Sequence, residues 1–290
     1  MTHLAGAPLL ALASAGCYAL ALVLAQIGLR HQPALSGATV SLPTTAAALW
    51  LIASIGLDFN GFDLTAAAIF AGIGLMFPVA VTLLSFESNR HLGPNVAGAL
   101  GNATPVIAVL FGIAILGETL TRDRVLGLAL IVAGVALLSI RDRLDARRWP
   151  AWALLLPLAA ALIRGLVQPL MKLGLALWPE PLAATVIGYT VSAAVILTVA
   201  AARREPGARV LHPRGSPIFA MVGLLNGASV LLMYGALAQG RVSLVAPLIA
   251  VYPLFTLTFA VLLLRSETLH VRLVAGIALT VAGVAVTVAS

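Results

Sequence analysis

Long apolar stretches alternate along the chain with short polar segments that carry charge, proline and glycine. Each apolar stretch holds about twenty residues, enough for a helix rising 1.5 Å per residue to cross roughly 30 Å of hydrocarbon. The pattern predicts an all-α membrane protein with ten transmembrane helices. The predicted spans are Leu4–Leu29, Leu35–Leu57, Leu64–Arg90, Pro94–Leu116, Arg122–Ile140, Trp149–Leu175, Leu182–Ala202, Pro217–Gln239, Val242–Leu264 and Val271–Ala289.

An internal repeat divides these spans into two sets of five. Glu118–Ala136 aligns with Glu267–Ala285 at an offset of 149, with twelve of nineteen positions identical. The first two spans of each half align more weakly at an offset of 146. We therefore expect a first repeat over residues 1–140, a basic linker over 141–148 and a second repeat over 149–290.

The number of spans per repeat sets the relation between the halves. Because five is odd, the second half must enter the membrane from the side opposite to the first. The fold predicted is two inverted five-helix repeats, an arrangement typical of secondary transporters that bind substrate near the bilayer midplane.

Composition agrees with a membrane protein, since 9% of residues are charged against roughly 25% in soluble domains. Sixteen of the seventeen basic residues are arginines, and all of these except Arg164 lie in or beside the polar segments at the ends of apolar stretches, which indicates anchors at lipid headgroups rather than nucleic-acid binding. The lone Cys17 lies in the first span and excludes a disulfide framework or thiolate metal site within the chain. With no Walker A, HExxH or GxSxG motif, we expect no enzyme activity, no metal and no cofactor.

The repeated stretches resemble a known family. LGPNVAGALGNATPVIAVLFGIAILGETLT followed by GLALIVAGVALL resembles the EamA domain of the drug/metabolite transporter superfamily, and LLRSETLHVRLVAGIALTVAGVAV resembles its second copy. The resemblance implies a multi-pass transporter of the plasma (inner) membrane, with a central cavity lined by the first four helices of each half. It also implies cargo among amino acids and other small metabolites, while more distant relatives carry sugar phosphates, nucleotide sugars or cationic drugs.

Polar residues within the spans are the candidates for substrate binding. Arg164 lies near the middle of the sixth span, and Gln168 and Lys172 follow at i+4 and i+8 on the same helix face. In the repeat, Tyr18 aligns with Arg164 and Gln26 aligns with Lys172. Matching polar stripes predict a cavity between the halves, although Lys172 is close enough to the span's end to reach the membrane surface instead.

The charged residues within or beside spans have either a functional or a structural role. Arg164 is expected to bind an anionic group such as a carboxylate, which a guanidinium can hold in a bidentate way. The alternative is a structural charge paired with carbonyls or with Glu87. Glu87 itself is either a coupling carboxylate or the partner of Arg90 in a local ion pair. Glu118 and Glu267 are expected to stabilise the N-termini of the fifth and tenth spans.

Two prolines occupy corresponding places inside spans. Pro105 aligns with Pro253 when one residue is inserted, and each is expected to kink its helix. The kinks are either hinges for transport or static bends. Asn102 and Tyr252 lie beside them, and Asn226 lies on the eighth span, so these three are further substrate-binding candidates.

These features predict a secondary active transporter that exports small organic metabolites by alternating access. The alternatives are a multidrug or organic-cation exporter, an uptake carrier for a metabolite or nucleoside-type solute, and a membrane protein that transports nothing. The expected partners are a small-molecule substrate, the lipid bilayer and a coupling ion, either a proton or another. The chain is expected to act as a monomer or homodimer without nucleic acid.

Arginine placement makes a testable prediction of orientation. Twelve arginines lie in odd-numbered connections and three in even-numbered ones, which places both termini outside the cytoplasm. The family, in contrast, is usually described with both termini inside. A reporter active only in the cytoplasm should therefore be silent when fused after Ser290 and active when fused after Arg148. The reverse pattern would establish the orientation usual for the family.

Overall fold

The computed structural model describes residues 6–139, 150–202, 212–264 and 271–289, and all regular secondary structure in these ranges is helical. The predicted linker 141–148 and Glu267 lie outside the described residues. A short 3₁₀ helix covers Ala151–Leu154. The α-helices are α1 Gly6–Gly28, α2 Ala34–Gly56, α3 Leu64–Met76, α4 Val79–Gly101, α5 Thr104–Leu116, α6 Arg122–Ser139, α7 Leu155–Leu177, α8 Pro181–Ala202, α9 Gly215–Gln239, α10 Val242–Ile249, α11 Tyr252–Leu264 and α12 Val271–Ala289.

Six helical segments of the described chain are long and apolar enough to cross a membrane. Large apolar side chains such as Leu51 and Ile55 lie exposed on the outer surface, where hydrocarbon rather than water would cover them. The chain is therefore a multi-pass helical membrane protein. The six segments are Gly6–Gly28, Ala34–Gly56, Leu64–Ser85, Trp152–Leu177, Pro181–Ala202 and Gly215–Gln239, and shorter apolar helices cover Thr104–Leu116, Val242–Thr256 and Val274–Ala289.

The boundary predicted between the third and fourth spans at residues 91–93 is wrong, because α4 runs through it without a break. The polar residues in this part of the sequence predict a turn at the membrane surface. In the structure Glu87 Oε1 lies 2.9 Å from His91 Nε2 at i+4, so these two polar groups partner each other along the helix. Pro94 lies within the same helix, as proline can where packing compensates for the lost hydrogen bond.

Three helix breaks lie elsewhere than in the predicted loops, at Phe77–Pro78, Asn102–Ala103 and Ala250–Val251. Pro105 and Pro253 are each the second residue of the helix that follows a break, α5 and α11. Proline fits the first turn because the N–H it lacks would have no partner within the helix there. The expected kinks inside continuous helices are thus full breaks between two helices.

Helices of the two halves pack against each other in antiparallel pairs. Gly6 of α1 lies beside Gln239 at the end of α9, and Gly28 at the other end of α1 lies beside Phe219 near the start of α9. We call the end of the bundle where α1 begins and α12 ends the terminal face, and the other end the opposite face. The α9–α10 connection belongs to the terminal face, since Gly240 lies beside Ala7.

The α6–α12 pair is also antiparallel and closely packed. Gly127 of α6 lies beside Gly283 and Thr287 of α12, and Gly134 lies beside Gly276 and Thr280. A Cβ atom added to Gly134 would lie 2.8 Å from the Gly276 carbonyl oxygen. Small residues let the two backbones approach as closely as helices in membranes commonly do.

Gly134→Val should therefore destabilise the protein. A side chain at this position would collide with the backbone of α12, and overpacking of this kind costs about 1–3 kcal/mol. The measurement is the thermal unfolding midpoint in detergent. The control is Gly72→Val on α3, where an added Cβ meets nothing within 4 Å. Equal midpoints for the two variants would contradict close α6–α12 packing.

Candidate functional site

A cavity of about 160 Å³ lies among helices of both halves. Its volume is similar to that of engineered protein cavities of roughly 150 Å³ that hold benzene, so it suits a small organic molecule. On α1 it extends from Ser14 to Ala25, and on α9 from Phe219 to Met233. Both ranges are near the middle of their helices but end closer to the opposite face than to the terminal face, so the cavity extends further towards the opposite face.

Arg164 of α7 bridges the cavity to two other helices. Its Nη2 donates to the Tyr18 hydroxyl of α1 at 3.1 Å and to the Ser85 hydroxyl of α4 at 3.0 Å. In the described part of the chain Arg164 forms no ion pair with a carboxylate. A guanidinium carries five N–H donors, so Arg164 has donors left for a ligand.

Tyr18 connects Arg164 to one of the helix breaks. Its ring packs edge-on against Tyr252, with ring centroids 5.0 Å apart. Tyr252 begins α11 directly after the break at Ala250–Val251, and Asn102 lies at the break between α4 and α5. Both line the cavity. Non-helical backbone at membrane depth is tolerated where it lines a cavity, which is where these two breaks lie.

Most of the predicted site residues line this one cavity. Gln168 is 4% exposed there, and its Oε1 atom has no hydrogen-bond partner among the residues that the structure describes. Three predicted residues lie elsewhere: Gln26 is exposed, and neither Glu87 nor Pro253 is among the lining residues. The predicted residues that line the cavity are Tyr18, Asn102, Pro105, Arg164, Gln168, Asn226 and Tyr252.

Sequence reasoning missed Ser85 as a partner of Arg164 and gave Tyr189, which lines the same cavity, only weak weight as part of a polar face on the seventh span. A serine or tyrosine inside a span is too common a feature to indicate a contact by itself. It also missed that Ser14 of α1 and Ser229 of α9 pair at the cavity wall. Each hydroxyl donates to the other residue's carbonyl, at 2.7 and 2.9 Å, which joins the two halves.

Glu118 caps a helix of the other half. Its carboxylate accepts hydrogen bonds from the backbone N–H groups of Val242 at 2.7 Å and Ser243 at 2.9 Å, at the N-terminus of α10. Gly117, with φ of 64°, ends α5 in the left-handed region and sets the direction of this segment. The expected stabilisation of a helix N-terminus by Glu118 holds for α10, rather than for the fifth span, α6.

Lys172 caps the neighbouring helix end. Its ammonium donates to the carbonyls of Leu237, at 3.0 Å, and Gly240, at the C-terminus of α9. A cation there is favoured by the helix dipole. Lys172 therefore binds protein carbonyls rather than the membrane surface. We call Glu118, Lys172 and their partners on α9 and α10 the terminal latch: Glu118 joins the first half to α10, and Lys172 joins α7 to α9 within the second half, both through charge-assisted hydrogen bonds.

Two like helical halves around a shared cavity form the architecture of a membrane transporter. A family model described as the EamA-like transporter family matches residues 6–140 and again residues 151–289, so the chain belongs to that family. No curated protein matches the chain. A crystal structure of a protein with 16% sequence identity has a TM-score of 0.79 and shares the fold over 97% of this chain and 96% of its own.

Proposed function

We propose that the protein is a secondary active transporter of the plasma membrane that exports small organic metabolites such as amino acids. The observation that carries this proposal is Arg164, a cation on a cavity wall whose hydrogen-bond partners are the hydroxyls of Tyr18 and Ser85. An intramembrane arginine costs about 2.5–3.5 kcal/mol on insertion scales, and such residues mark substrate pathways. The anionic group of a substrate would complete its pairing.

The proposal includes an inverted arrangement of the two repeats, and two contacts support that arrangement. Tyr18 and Arg164 occupy equivalent positions of the two repeats, yet they hydrogen-bond each other. Equivalent residues can touch only near the axis that relates the halves. The antiparallel packing of the equivalent helices α6 and α12 fits the same axis. A substrate at Arg164 would therefore lie between the repeats.

The charges around the cavity favour an anionic or zwitterionic substrate over an organic cation. Among the described residues that line the cavity, none is acidic and Arg164 supplies a positive charge. Glu87, the carboxylate nearest the middle of a predicted span, hydrogen-bonds His91 and lies outside the lining. A cation exporter would need a carboxylate facing the cavity.

Arg164→Gln should reduce uptake of amino acids into inverted vesicles by tenfold or more. The variant keeps a hydrogen-bonding side chain but loses the charge that would pair with a carboxylate, and such charged hydrogen bonds contribute about 1.5–3 kcal/mol. Arg30→Gln, an exposed position at the opposite face, is the matched control and should transport normally. Undiminished transport by the Arg164 variant would refute the role of Arg164, provided both proteins remain folded in detergent.

The terminal latch suggests which stage of alternating access the structure represents. Glu118 and Lys172 hold α9 and α10 at the terminal face, while the cavity extends closer to the opposite face than to the terminal face. Transport would require the latch to open and the opposite face to close. Gln26, the repeat equivalent of Lys172, is exposed in this state, and in this proposal it would donate its amide to carbonyls when that face closes.

Weakening the latch should open the cavity to the terminal face. In a Cys17→Ser background, Met233→Cys places a thiol on the buried cavity wall. Lys172→Met removes the charged partner of two carbonyls at the end of α9 and should loosen the latch. A membrane-impermeant maleimide added from the terminal side should then label the cysteine at position 233 several-fold more. Labelling in intact cells and in inverted vesicles distinguishes the sides.

The control for the latch is Asp123→Asn, which removes a charge from the first turn of α6 at the same face. It should leave the labelling of Cys at position 233 as it was. If Lys172→Met also leaves labelling from both sides unchanged, the latch does not control access and this part of the mechanism fails.

A further inference from the structure

Two polar atoms buried at the cavity are left without hydrogen bonds among the described residues. They are Gln168 Oε1 on α7 and Tyr189 Oη on α8, whose side chains are 4% and 2% exposed. A buried polar group without a partner costs about 1–3 kcal/mol. Both residues line the cavity, and although the two atoms themselves are covered, a side chain that turns towards a ligand in the cavity would remove this cost.

Gln168 follows Arg164 by one helical turn on the same face of α7. At 1.5 Å per residue the two backbone positions are about 6 Å apart along the helix axis. Arg164 offers only hydrogen-bond donors, whereas Gln168 Oε1 is an acceptor. One face of α7 thus presents a donor and an acceptor to the same cavity, within the length of a small molecule.

We propose that Gln168 Oε1 accepts a hydrogen bond from the substrate, so that the transporter selects molecules carrying both an anionic group and a hydrogen-bond donor. This inference rests on the proposed function. The substrate's anionic group pairs with Arg164, and its ammonium or hydroxyl group donates to Gln168. Tyr189 completes the site from α8, where its hydroxyl can accept or donate. A carboxylate that lacks the donor would leave Gln168 unpaired.

Ligand binding to the full chain in detergent tests the proposal through ligand-dependent thermal stabilisation, which reports affinity for the folded state. The probes are L-valine, L-leucine and L-threonine, each compared with the carboxylate of the same skeleton without the amino group and with the amine without the carboxylate. At least one amino acid should bind the wild type ten times or more tightly than its deaminated counterpart. That ratio follows from leaving one buried acceptor unpaired.

Three variants assign this selectivity to Gln168. Gln168→Met keeps the length of the side chain but removes the acceptor. The affinity ratio between an amino acid and its deaminated counterpart should then fall to about onefold to threefold, because neither ligand leaves a buried acceptor unpaired. Gln168→Asn retains an uncharged amide acceptor on a side chain one methylene shorter and should keep more of the selectivity than Gln168→Met. Gln239→Met makes the same change at an exposed position outside the cavity and should behave as wild type. A variant that fails to fold would show a lower unfolding midpoint in the absence of ligand, which the same experiment measures.

The outcomes separate this inference from the proposed function. Equal binding of amino acids and their deaminated counterparts by the wild type would overturn the role of Gln168 and leave that of Arg164 standing. Retention of the tenfold ratio in Gln168→Met would overturn it as well. Stabilisation by the amines alone, or by none of the probes, would overturn the proposed substrate class and this inference with it.

Discussion

Hydrocarbon offers no hydrogen bonds, so every polar backbone group at membrane depth needs a partner within the protein. The broken helices of this chain make that requirement acute, because each break creates additional helix ends. Two charged side chains meet it at the terminal face: Glu118 of the first half accepts from the start of α10 in the second, and Lys172 pairs with the end of α9 within its own half. Satisfying the backbone and closing the terminal face are therefore accomplished by the same contacts. A conformational change that opens this face must supply new partners for the freed groups.

The same need for partners explains why few polar groups of the cavity wall remain available to a ligand. Along α1 and α9 its wall is mostly apolar, and the hydroxyls of Ser14 and Ser229 satisfy each other's carbonyls between these helices. Among the described residues, polar groups available to a ligand lie on α7, where Arg164 and Gln168 share a face, and on α8 at Tyr189. The repeat equivalent of Arg164 is Tyr18, which interacts with it rather than duplicating it. The twofold architecture thus carries an asymmetric site, as the recognition of a small asymmetric molecule requires.

Spacing in the sequence was sufficient to identify the family and to select candidate residues most of which line one cavity. Helical periodicity aligned Arg164 with Gln168, and the repeat aligned Tyr18 with Arg164, two relations that depend only on spacing. It was insufficient where partners came from distant segments. Nothing in the spacing indicates that Glu118 would cap α10 instead of the helix that follows it, or that Ser85 would reach Arg164. The continuous α4 was not predicted for a related reason. Glu87 and His91 hydrogen-bond each other along the helix, whereas hydropathy treats each as an unpaired polar residue and so predicts a loop.

The α6–α12 contact has a consequence for how such a fold could arise. It joins the same helix from both repeats, glycine to glycine, in opposite directions. An interface of this self-complementary kind needs no second surface to evolve, because two copies of one half inserted in opposite orientations could already form it. The single chain then resembles a fused dimer, in which covalent linkage fixes the orientations and frees each half to diverge. Tyr18 and Arg164 mark where divergence from a common side chain would have turned a symmetric dimer into a selective one.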